Sequence, residues 1–379
     1  MALSSKYIKF ADPVIEQICM KWSSDGVGLT PDDAAKVTDI GTTFQENTEI
    51  TSFDELKEFG ATSLGAKSFY QCSNLKSIDL TKIKEIGENV FNGCSSLDID
   101  LNMPSLTKMN GLGGYFKGSG IRKIVNLGSI TTIEGYFLNG GCFENCVNLE
   151  EVILPLTCVN LGKKNQALYN SIFKGCTSLR SINLEHVEWI AEECFRNCKE
   201  LQLELVNDKI TSIGQHTFVG TKLQSINCPN VTTIGMYAFA SSALSGDISF
   251  PNLESIRGLS EFNYTSIESV TDLGKVTNIN GAAGYGMFMG CKLLKRVTFP
   301  STLTLLGEWI VKDCPIIEAI IMKSTVPPTI STGTFLVPTA CQFYVPDESV
   351  EAYKSATNWS AYADRIKSIK EYVEPTNNE

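Results

Sequence analysis

Histidine is nearly missing from this chain: only His186 and His216 occur in 379 residues. Few bases are therefore on hand for a Ser-His-Asp or Cys-His arrangement, and neither G-x-S-x-G nor H-E-x-x-H is present. Long apolar runs are missing too, and none approaches the ~18–20 residues a membrane-spanning helix needs. Basic charge is outweighed, with 32 Lys and Arg against 42 Asp and Glu and a net charge of −10. Such a balance repels phosphate backbones and anionic headgroups, so no nucleic-acid partner and no polybasic membrane docking are expected. The opening MALSSKYIKF has no apolar h-region and does not read as a signal peptide, which does not place the protein inside the cell.

What is present is a repeat. Phe69, Cys72, Leu75, Ile78 and Leu80 set out the pattern F-x-x-C-x-x-L-x-x-I-x-L. It returns at Phe173 with Cys176, Leu179, Ile182 and Leu184, and at Phe143 with Cys146, Leu149, Val152 and Leu154. Phe288 with Cys291, Leu294, Val297 and Phe299 repeats it again, and Phe91 with Cys94 and Phe195 with Cys198 open two more copies. At Phe116, Phe218, Phe239 and Phe262 the cysteine gives way to Ser119, Thr221, Ser242 and Thr265, while Val311 keeps Cys314. A second element, I-G-x-x-x-F, precedes the phenylalanine at Ile86-Gly87, Ile213-Gly214 and Ile234-Gly235, with Ile190-Ala191 a near match.

Successive phenylalanine positions lie 21 to 30 residues apart, the range of leucine-rich repeats. The L-x-x-I-x-L run reads as a turn followed by a short strand whose alternate residues point inward. One coil cannot bury its apolar edge alone. Stacked coils place Leu over Leu, Ile over Ile and Phe over Phe, and that stack becomes the core.

These residues closely resemble the BspA-like leucine-rich repeat family of bacterial surface proteins, from about Phe10 to Tyr372. The resemblance includes Phe10 to Ile40, Ile50 to Leu56, and the C-terminal Tyr344 to Tyr353 followed by Trp359 and Tyr362. It implies secretion, surface exposure and binding roles in adhesion, without implying one shared ligand. The expected fold is an α/β repeat solenoid, a right-handed stack of leucine-rich-repeat coils with short parallel strands. A small helical N-terminal cap (1–48) precedes about eleven coils (49–323), and a C-terminal capping segment (324–379) follows.

In the first segment Val14, Ile15, Ile18, Cys19 and Trp22 fall at helical spacing. Thr30 is placed to cap a second helix, with Pro31 at its first position and Asp33 where a capping box needs it. Family relatives often have a calcium loop nearby, but Ser23 to Leu29 keeps one acidic candidate, Asp25, and no closing Glu, so no calcium is expected. Toward the other end, Phe343, Tyr344 and Val345 read as a final strand, and Ser349 as the cap of a helix carrying Val350 and Tyr353.

Seven cysteines share one repeat position, and stacking brings them near enough for disulfides by distance alone. Their side chains should run parallel into the core, which favours a ladder of buried thiols packed as small apolar groups. Cys142-Phe-Glu-Asn-Cys146 and Cys194-Phe-Arg-Asn-Cys198 have C-x-x-x-C spacing with a core phenylalanine between, which argues against a zinc or redox site. No metal, cofactor or catalytic residue is expected.

Four coils are longer, with additions between the I-G element and the next phenylalanine: 110–115, 135–141, 161–170 and 280–286. Each carries a tyrosine among Gly and Asn, a composition suited to adaptable recognition. Because equal repeat positions stack on one face, these loops are expected to form one ligand surface from Tyr115, Tyr136, Phe137, Asn139, Tyr169, Asn170 and Tyr285. The function that follows is non-enzymatic binding or adhesion, extracellular or at the bacterial cell surface, toward a host or bacterial surface protein or glycan. The alternatives are a carbohydrate-active or peptidase-like surface enzyme using scattered carboxylates, and a purely structural surface spacer.

Overall fold

Most turns of the chain carry two short strands, where the sequence marks only the one in L-x-x-I-x-L; the I-G element forms the other. The computed structural model describes residues 6–135, 140–162 and 170–374. It is a solenoid of parallel strands with few helices and about 13 turns. That exceeds the count from the pattern because turns without F-x-x-C also pair, as at Gln342–Val345 and Ile366–Ser368. Two compact units are distinguished, one reaching to Val187 and including Ala191–Leu201, the other comprising Glu188–Ile190 and the chain from Gln202 onward.

In the N-terminal unit, Asp100–Asn102, Lys123–Asn126, Glu151–Val152 and Ser181–Ile182 form one parallel sheet. Its register sets Ile124, Val152 and Ile182 side by side on the core face. The I-G strands Ser63–Leu64, Glu85–Ile86 and Lys108–Met109 form a second sheet. Glycine follows the isoleucine because the coils approach closely there: a Cβ on Gly87 would stand 2.4 Å from the Ala66 backbone nitrogen. In the C-terminal unit the long strands Ser245–Ser249, Ser266–Asp272, Arg296–Phe299, Ala319–Met322, Gln342–Val345 and Ile366–Ser368 make a six-stranded parallel sheet. Val270, Val297, Ile320, Phe343 and Ile366 are in register on its buried face.

The phenylalanines stack as the repeat requires. Phe44, Phe69, Phe91, Phe116, Phe143, Phe173 and Phe195 run through the N-terminal unit with neighbouring centroids 5.1–5.7 Å apart. Phe218, Phe239, Phe262 and Phe288 do the same in the C-terminal unit at 5.1–5.8 Å. Phe44 has no repeat signature of its own, yet it begins the stack.

Around most of these rings the backbone alternates in hand. Lys67 and Gln71 flank Phe69 with φ of 62° and 59°, and His216 and Gly220 flank Phe218 with 56° and 69°. This alternation aims every second N–H along the stack. Lys67, Phe69 and Gln71 thus donate to the carbonyls of Glu88, Val90 and Asn92 at 3.0, 2.9 and 2.8 Å.

All 13 cysteines are free and buried. Those at the repeat position are more than filler, since each donates its S–H to the carbonyl of the ladder residue one coil earlier. Cys72 reaches Phe44 O at 2.8 Å, Cys94 reaches Phe69 O at 3.1 Å, Cys176 reaches Phe143 O at 3.1 Å, and Cys314 reaches Phe288 O at 3.1 Å. Burial pushes the Cys72 thiol up to about 12, so it stays protonated and able to donate.

At the N-terminal end a helix runs Pro13–Cys19, and its cap, Asp12, accepts from Val14 N at 2.8 Å. The second carboxylate oxygen of Asp12 accepts from Thr51 N and Ser52 N at 2.5 and 3.2 Å, tying the helix to the first strand. The second helix, Pro31–Lys36, has the Thr30–Asp33 capping box. Toward the other end Ser349 does not cap the helix Val350–Ser355; its hydroxyl donates instead to Thr325 O at 2.8 Å. Trp359 closes this end of the core, donating Nε1–H to Pro328 O at 2.8 Å.

Candidate functional site

Tyr115 is not a surface residue. It stands immediately before Phe116, the repeat position at which Val90, Cys142, Ile172 and Cys194 also point into the core, and it is fully buried. Its hydroxyl donates to Gly111 O at 3.3 Å, so the glycines of that long turn wrap a core tyrosine. Asn170 is buried as well. Tyr136, Phe137, Asn139 and Tyr169 lie outside the described residues. Tyr285 is exposed and meets Tyr237 edge-on at 6.4 Å, while Tyr237 stacks on His216 at 4.9 Å. The expected tyrosine face is therefore corrected at Tyr115 and Asn170, whose burial removes them from any ligand surface. The signal that could have shown it was the apolar residue, such as Val90, Cys142 and Ile172, that precedes the ladder phenylalanine in most other coils.

The two histidines hold structural positions: His186 Nε2 lies 3.1 Å from Pro155 O, and His216 carries the Tyr237 ring. Asp25, the one acidic candidate of the first loop, is engaged by Lys6 at 3.1 Å, Tyr7 OH at 2.9 Å and Val27 N at 3.0 Å. Among the described residues no cluster of three His, Cys, Asp or Glu is arranged to hold a metal ion.

A cleft that sequence reasoning missed lies on the outer face of the six-stranded sheet. Strand alternation sends Ile248, Val270, Val297 and Ile320 inward, and turns their preceding neighbours outward. Register sets Asp247, Ser269, Arg296 and Ala319 in one row across four strands. Ser269 Oγ donates to Asp247 Oδ1 at 2.5 Å, and Arg296 Nη2 lies 3.7 Å from Asp247 Oδ2. Lys295 is paired with Glu268 at 2.7 Å beside them. Ala319 is short, which leaves room next to the guanidinium, and the cleft encloses about 200 Å³. Tyr344 supplies its aromatic wall, and Tyr372 of the C-terminal segment lies against that ring with centroids 4.9 Å apart and planes at 64°. Burial raises the Tyr344 phenol, so it remains a hydrogen-bond donor at neutral pH. A guanidinium beside an aromatic wall can bind a polar ligand with an apolar face.

The BspA type leucine rich repeat region matches the chain in overlapping segments, residues 34–146, 115–244, 166–286 and 260–370. Among solved structures, a leucine-rich repeat protein from Bacteroides ovatus is similar at 20% identity and a TM-score of 0.43, covering 85% of this chain and 68% of that one. A leucine rich cell surface protein from Faecalibacterium prausnitzii is similar at 18% identity and a TM-score of 0.37, covering 87% and 83%. The pneumococcal vaccine antigen PcpA is similar at 16% identity and a TM-score of 0.36, covering 82% and 76%. A search of curated proteins finds no match. No helix among the described residues is long and apolar enough to cross a membrane. With the repeat, its stacked core and the family match spanning residues 34–370, the chain belongs to the BspA-type leucine-rich repeat family.

Proposed function

We propose that this protein is a non-enzymatic binding protein acting outside the cell or on the bacterial surface, and that it recognises a surface protein or glycan. The observation that carries the reading is the cleft around Arg296. Inward residues of its strands are consumed by the core, while the outward face combines the Arg296 guanidinium, the Asp247 carboxylate, the Ser269 hydroxyl and the Tyr344 ring. That composition suits recognition of a polar surface. The extracellular location follows from the family resemblance.

The test is a broad glycan and protein array probed with the chain and with two variants, Arg296→Gln and Tyr344→Ala. A hit retained by the parent chain and reduced at least tenfold in both variants is expected. A hit that both variants keep would move the binding face elsewhere, with Tyr285 and Tyr237 the next surface to alter. Turnover of an array ligand by the parent chain would overturn the non-enzymatic reading.

A further inference from the structure

The cleft is partly filled by the chain itself. After the short turn Ile369–Glu371, residues Tyr372, Val373 and Glu374 lie against the outer face of the sheet. Tyr372 stands against Tyr344, and its hydroxyl also favours the charged form of Arg296. Glu374 Oε1 lies 3.1 Å from Arg296 Nη1. Val373, between them, is 83% exposed. Alternate residues engaging one surface while the intervening one faces solvent is the pattern of an extended peptide.

The ion pair that holds this segment is weakly stabilising, because the Glu374 side chain is 72% exposed and well solvated. Arg296, at 18% exposure, projects from a strand paired on both sides, with the Asp247 carboxylate 3.7 Å from its guanidinium. The receptor half is thus built on paired strands, and the occupant is held by a half-buried tyrosine and an exposed glutamate.

We propose that the cleft is a recognition site for an extended peptide bearing an aromatic side chain and, two residues further on, a carboxylate, and that Tyr372-Val373-Glu374 occupies it in cis. This rests on the reading of the protein as a binding module and names the class of partner. An incoming peptide stacks its ring on Tyr344 in place of Tyr372 and presents its carboxylate to Arg296 in place of Glu374. The segment acts as a built-in competitor, so apparent affinity is lowered by the fraction of molecules in which the cleft is filled.

The experiment uses the full chain and a labelled synthetic peptide with the sequence of residues 370–379, followed by fluorescence anisotropy. The double substitution Tyr372→Ala with Glu374→Ala opens the cleft without touching the core. The opened variant is expected to bind the peptide at least tenfold more tightly than the parent chain. Peptides carrying alanine at either the tyrosine or the first glutamate after the valine should lose at least tenfold. Adding Arg296→Gln to the opened variant should abolish binding, and Arg296→Lys, which keeps the charge but not the fork, should restore part of it. Equal binding by parent and opened chains, no binding by either, or binding that survives Arg296→Gln each overturns the proposal. Should the opened variant ignore the peptide while the parent keeps an Arg296-dependent array hit, the peptide class fails and the broader reading stands.

Discussion

The thiol of Cys94 donates its hydrogen to the backbone carbonyl of Phe69, one coil earlier, at 3.1 Å. The same carbonyl accepts the Cys72 backbone N–H at 3.2 Å, so both of its lone pairs are used. Thr221, at the matching position of another coil, bonds the carbonyl of its own Phe218 at 2.9 Å instead. Cysteine's longer C–S bond spans the gap between coils that a hydroxyl does not, which accounts for its recurrence better than size alone.

Replacing Cys94 by Ala should destabilise the chain by about 1–3 kcal/mol, combining a lost buried donor with a small void. Cys94→Thr should cost less, because the hydroxyl can turn to the Phe91 carbonyl as Thr221 turns to Phe218. Urea unfolding of the three proteins measures the difference; equal midpoints for all would mean the thiol is only filler.

Glu261 sits where most other coils place an apolar residue, directly before ladder residue Phe262, and it is fully buried. Burial pushes its carboxyl up to about 7 from an ordinary 4.5, against the pull of the nearby backbone N–H groups of Glu261, Leu259, Gly258 and Arg257. No hydrogen bond closes on either carboxyl oxygen among the described residues. Because the folded value lies above the ordinary one, the fold binds this proton more tightly than the unfolded chain. That contribution is complete below pH 4.5 and is lost as pH rises to about 7. Glu261→Gln should therefore stabilise the protein at pH 8 by roughly 3 kcal/mol relative to its effect at pH 4.5. Unfolding midpoints at both pH values decide it, and a pH-independent difference would show that the carboxyl does not titrate in this range.

Tyr115→Ala should reduce stability by about 3–5 kcal/mol, the range for emptying a large aromatic site. Tyr115→Phe, which keeps the ring and gives up only the bond to Gly111 O, should cost about 1 kcal/mol. Tyr285→Ala should leave stability within about 0.5 kcal/mol, as an exposed substitution does. Thermal unfolding of the three variants separates core from surface; a stable Tyr115→Ala protein would return that ring to the ligand face.

Much of the fold was legible in the sequence because stacking demands it. A coil that buries Phe, Leu and Ile only against its neighbours must repeat those residues in register, so the ladder from Phe69 to Phe288 is written in their spacing. The capping box at Thr30 and Asp33 is local and equally readable. Tertiary structure alone decided that Tyr115 turns inward, that Phe44 joins the stack without the pattern, and that the thiols bond across coils. It alone assembled the cleft: Asp247, Ser269, Arg296 and Tyr344 come from four different strands and share no motif. Inward positions are constrained to one chemistry by the core and therefore repeat. Outward positions are free to differ from coil to coil, and their meaning appears only when register sets them side by side.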